Sequence, residues 1–68
     1  MDSDKIKIGK ALKKYRMIKG YTQEDVADIT GLAPRYISQI ERGFSSGSIS
    51  TLIKLCDAYG ITPNHVLY

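Results

Sequence analysis

Apolar residues recur at helical spacing in five stretches of this chain, and Gly or Pro stands at the joints between them. Ile8, Ala11, Leu12, Tyr15 and the stem of Lys19 share one face between Lys5 and Lys19, with Lys7, Lys10, Lys13 and Lys14 on the other positions. Gly20 then supplies a left-handed cap. Thr22 is a good N-cap for a second helix, Asp25 three residues on makes an acidic capping box, and Val26, Ala27 and Ile29 are its apolar positions before Gly31. Pro34 suits the first position of a third helix, whose apolar edge is Ile37 and Ile40 and which ends by Gly43. The stretch from Phe44 to Ser48 reads as a loop. Ser48 caps a fourth helix bearing Ile49, Leu52, Leu55, Cys56 and Tyr59 up to Gly60, and Thr62–Pro63 opens a last short turn with Val66 and Leu67. No segment alternates as a strand does. The pattern predicts an all-α bundle of five short helices, with a flexible arm over residues 1–4 and one domain over residues 5–68.

Composition narrows what such a bundle does. The chain has 68 residues, enough for one domain that buries only about 60% of its unfolded surface. Cys56 has no second Cys to pair with, so disulfide staples are excluded and a reducing compartment is expected. Neither Cys56 nor the lone His65 supplies a ligand set, so no metal and no cofactor is expected. A catalytic pocket of the usual ~300 Å³ would consume much of so small a core, and no nucleophile is placed beside an oriented base; an enzyme is not expected. No apolar run approaches the roughly 20 residues of a membrane span, and Met1 to Asp4 is acidic where a secretory signal is basic. A soluble cytoplasmic protein is the expectation. Ten Lys plus Arg against seven Asp plus Glu give a net charge of +3, which favours an anionic partner without separating nucleic acid from a solubility device.

The second and third helices, joined by about three residues around Gly31, outline a helix-turn-helix over about residues 23–42. Ala27 is small where two backbones cross, and Gly31 takes positive φ at low cost. On the third helix, about 100° per residue sends Ile37, Ile40 and Glu41 one way and Arg35, Ser38, Gln39 and Arg42 the other. That outer face has no acid. Arg and Gln pair bidentately with guanine and adenine edges, and one helix fits the major groove; an ordinary solvated face is the alternative.

The segment QEDVADITGLAPRYISQIER, with Arg16, Gln23, Val26, Ala27, Gly31, Leu32, Ile37, Ile40, Glu41 and Gly43 in place, resembles the phage-repressor and Cro-type helix-turn-helix family from about Ile8 to Leu67. The resemblance implies a five-helix domain that binds double-stranded DNA as a homodimer on a near-palindromic operator and regulates transcription, as a repressor. It implies base reading by Arg35 and Gln39, with Ser38 on a base or a phosphate. Pro34 has no side-chain donor and departs from the polar residue often found at its position, so the resemblance does not carry that base contact over. Gln23 matches a phosphate clamp at a helix start; Arg42 and Ser48 are further phosphate candidates. Tyr36 at the flank reaches a phosphate or packs on the second helix. Arg16 and Glu41 match a partly buried structural ion pair. Glu24 and Asp28 match acids through which some relatives touch RNA polymerase, the alternative being dipole pairing in a solvated turn. The dimer surface is expected in Thr62 to Tyr68, with Val66, Leu67 and Tyr68 partly bare. A protein-interaction module on the same fold, antitoxin-like or an anti-repressor component with secondary DNA binding, is the competing function; it lacks the steep salt dependence of a phosphate-clamping DNA reader.

Overall fold

The computed structural model describes residues 3–45 and 47–67. Among them the chain forms α1 (Ser3–Ile18), α2 (Gln23–Thr30), α3 (Pro34–Glu41), α4 (Ile49–Tyr59) and α5 (Asn64–Leu67), the all-helical order expected. At 8 residues each, α2 and α3 are shorter than the roughly 12–15 residues at which isolated helices become even marginal in water. Their stability therefore comes from packing. Leu12 of α1, Val26 of α2, Ile37 and Ile40 of α3, Leu55, Cys56 and Tyr59 of α4 and Val66 of α5 form one buried cluster, so every helix contributes to a single core.

Four sequence expectations are corrected. Ser3 and Asp4, expected in an arm over residues 1–4, belong to α1, which begins at Ser3 with Asp4 in the first turn where an acid complements the positive end of the helix dipole; Met1 and Asp2 lie outside the described residues. Ile29 and Ile49 are exposed rather than core-facing: Ile29 lies well round the helix from Ala27, and Ile49 is the first residue of α4. Val66, expected to be bare, is 1% exposed, since α5 folds back on α1 and inserts it into the core. Leu67 stays exposed, and Tyr68 lies outside the described residues. Burial also raises the Cys56 thiol pKa, with Asp57 adding to it, so Cys56 behaves as the small hydrophobe its spacing suggested.

How α1 meets α3 matters most for the site. Gly9 is buried where α1 crosses the end of α3; a Cβ there would collide with the carbonyl oxygen of Ile40 and stand 2.8 Å from that of Glu41. The two backbones touch directly. The last turn of α3 is thereby seated on α1 with no side chain between them.

Candidate nucleic-acid interface

The turn between α2 and α3 is built from local hydrogen bonds. Thr22 Oγ1 accepts from the Asp25 N–H at 3.0 Å and Asp25 Oδ2 accepts from the Thr22 N–H at 2.9 Å, which fixes the start of α2 as the capping box predicted. At its far end Gly31 has φ 77° and donates to the Ala27 carbonyl at 2.8 Å; a side-chain-bearing residue would be strained in this left-handed conformation. Thr30 Oγ1 donates to the Val26 carbonyl at 2.7 Å and accepts from the Leu32 N–H at 3.2 Å. Pro34 then opens α3, and no side chain caps it.

From this start α3 turns two faces to different surroundings. Ile37, Ile40 and Glu41 are buried, Arg35 is exposed, and Ser38 and Gln39 are half-buried. The outward arc predicted from periodicity is present, with Ser38 and Gln39 lower in the surface than an idealised wheel suggests.

Glu41 is the hub of a clasp across three helices. Its Oε2 accepts from Arg16 Nε at 2.6 Å, and its Oε1 accepts from Arg16 Nη2 at 3.2 Å and from Gln23 Nε2 at 3.0 Å. Arg16 Nη1 also donates to the Tyr21 carbonyl at 2.7 Å. The forked guanidinium and paired carboxylate oxygens match bidentately. The direct hydrogen bond to Glu41 holds the Arg16 pKa above its ordinary value, against the opposing effect of burial. Burial pushes the Tyr59 hydroxyl well above the usual phenol range, the Glu41 carboxylate adding to this and Arg16 opposing it. The Arg16–Glu41 pair is the one expected from the sequence; Gln23, which nothing in the sequence ties to it, joins them. In this state one Gln23 donor is committed to Glu41, which fixes the side chain at the first position of α2.

Comparison with known proteins places this geometry. A family model described as "Helix-turn-helix" matches residues 12–66. The chain belongs to the phage-repressor and Cro-type helix-turn-helix family. It is 36% identical over 62 residues to an uncharacterized HTH-type transcriptional regulator, y4dJ, of Sinorhizobium fredii, covering 91% of this chain and 79% of that one. It is 34% identical over 61 residues to the HTH-type transcriptional regulator SinR of Bacillus subtilis, covering 88% of this chain and 55% of that protein. Among solved structures, the restriction-modification controller protein C.AhdI from Aeromonas hydrophila is similar with a TM-score of 0.90 at 34% identity, over 96% of this chain and 98% of that one. The chain thus spans nearly all of some relatives and about half of others.

Within the helix-turn-helix frame the remaining candidates fall into distinct settings. Tyr36 is half-buried, its ring packed against the core, and its hydroxyl is 3.1 Å from where a Cβ on Gly47 would sit. It therefore leans on the loop before α4 as well as on the core. Ser48 Oγ accepts from the Thr51 N–H at 3.1 Å and shares a 3.0 Å hydrogen bond with Thr51 Oγ1; its side chain serves the cap of α4. Arg42 is exposed just past α3, its guanidinium 4.6 Å from the ring centroid of Phe44. The sequence pattern alone puts Phe44 in a loop with no role; an aromatic two residues after an Arg across a Gly is the signal it does carry. Glu24 and Asp28 are both exposed on the outer side of α2. Among the described residues no helix is long and apolar enough to cross a membrane.

Proposed function

We propose that this helix-turn-helix regulator is a cytoplasmic transcription repressor without catalytic activity, which lays α3 of each of two protomers into successive major grooves of a near-palindromic operator. One observation carries the reading: Arg35 and Gln39 stand on the open side of α3 while Ile37, Ile40 and Glu41 of the same helix are held in the protein. Arg35 and Gln39 read base edges, each good bidentate contact being worth about 1–3 kcal/mol against the wrong base. Ser38 supplements them. Gln23, steadied by Glu41, and Arg42 take phosphate oxygens on either side and set the register of α3 without reading sequence.

A two-fold dimer spaces its half-sites about 34 Å apart, one turn of the duplex. With Val66 inside the fold, the C-terminal segment offers that dimer only Leu67 among the described residues, and the surface assigned to it here is the pair Ile49 and Ile53, 78% and 46% exposed. They lie one turn apart on α4, which suits a contact made by the same patch from both subunits.

The roles separate by mutation. Arg35→Ala is expected to relax base preference at one position of each half-site. Gln23→Ala is expected to weaken binding to all sequences alike and to leave the salt dependence of log Kd unchanged, since a neutral amide displaces no counterion, whereas Arg42→Ala is expected to flatten it by about 0.9. Competition binding with matched and scrambled duplexes over a salt series reads both effects. Uniform weakening by Arg35→Ala would remove it from base reading.

A further inference from the structure

We propose that Phe44 is a positioning residue for Arg42, its exposed ring holding the guanidinium beside the end of α3 where a DNA phosphate would meet it. The inference rests on the DNA-binding reading and adds a residue to it. Three observations lead there.

The first is scarcity of charge. Arg42 is the only Lys or Arg between Arg35 and Lys54, so the whole stretch from the middle of α3 to the middle of α4 depends on one cation for phosphate contact. A long side chain with free rotamers would lose entropy on binding; one already held loses less.

The second is that Phe44 is anchored to the recognition helix. Its N–H donates to the Gln39 carbonyl at 2.9 Å, and the Gly43 N–H donates to the Ile40 carbonyl at 3.1 Å, the paired bonds of a Schellman cap. Gly43 takes φ +80°, and a Cβ there would lie 2.8 Å from Ile6 Cγ1, so the cap is wedged against α1. In this motif an apolar residue at the position of Phe44 usually packs on the residue three back from the helix end. Here that residue is Gln39, and the ring is 65% exposed. Burial is not what places it.

The third is the position of the cation over the ring. The guanidinium carbon is 4.6 Å from the ring centroid, well inside the ~6 Å reach of a cation–π contact. A contact with the ring face takes up none of the guanidinium's N–H hydrogen bonds, which stay available to a phosphate oxygen pair. Arg42 is thus held without being used up, on a platform fixed to the helix that carries Arg35 and Gln39.

A double-mutant cycle tests this on a random-sequence 24-bp duplex at low salt, where phosphate contacts are read without an operator. Phe44→Ala is expected to weaken binding about two- to fivefold and to have no further effect in an Arg42→Ala background, while Phe44→Trp keeps wild-type affinity. In the free protein, Phe44→Ala should abolish the ring-current shift of the Arg42 δ protons in NMR spectra and leave amide signals of α1 and α4 in place. Equal losses from Phe44→Ala with and without Arg42, no loss at all, or an unshifted Arg42 in the wild type each overturn the proposal while the DNA reading stands. Failure of the wild type to bind any duplex overturns that reading, and the phosphate role with it.

Discussion

Replacing Glu41 with alanine is expected to lower the unfolding free energy by about 3–5 kcal/mol, because it leaves a guanidinium inside the fold without its counter-charge. The Arg16 and Glu41 side chains are 12% and 3% exposed, so water offers little compensation. A domain of 68 residues holds roughly 3–10 kcal/mol in total, so the variant should be partly unfolded at room temperature. At about 4–8 °C per kcal/mol for a domain of this size, thermal melting followed by circular dichroism should fall by roughly 12–40 °C. The double variant Arg16→Met/Glu41→Leu should recover most of the loss, since no charge is stranded. A fall below about 1 kcal/mol for Glu41→Ala would mean the bridge is worth no more than a surface pair. The clasp also spans α1, α2 and α3, so DNA affinity should drop beyond what the unfolded fraction explains.

Gly9→Ala gives the second large effect, and its sign is diagnostic. Away from crowding, Ala inside a helix is more favourable than Gly by about 1 kcal/mol, so an open site would be stabilised. Here the added methyl meets the Ile40 and Glu41 carbonyl oxygens, which are main-chain atoms that cannot swing aside. Forcing α1 off α3 should cost about 1–3 kcal/mol net, the range for overpacked sites, and should move the end of α3 that carries Arg42 and Phe44. The expected result is a lower melting temperature and weaker binding to every duplex. A higher melting temperature would show that α1 and α3 do not meet as described.

The two predictions also mark where the sequence stops being informative. Caps and turns were legible because their chemistry is local: Thr22 with Asp25, Gly31 with Pro34, and Ser48 each act within three or four residues. The inward edge of α3 was legible because Ile37 and Ile40 repeat at helical spacing. The seat of Gly9 was not, since a glycine within a helix pattern looks the same whether it faces solvent or another backbone. The tie from Gln23 to Glu41 spans 18 residues and depends on where α1 delivers Arg16. Burial of Val66 was missed for a related reason, as a four-residue helix has too few positions to reveal which side it turns inward. Phe44 was hidden by the Gly and Ser around it, its partner being set by the cap geometry rather than by periodicity.

Base reading by the open face of α3 underlies the proposed role in transcription. Selection of preferred sites from a random duplex pool tests it most directly, run in parallel with wild type and with Arg35→Ala. Inverted repeats whose half-site centres lie about one helical turn apart should be enriched, with one position per half-site losing its preference in the variant. No enrichment, or an enriched motif that Arg35→Ala leaves unchanged, would rule it out.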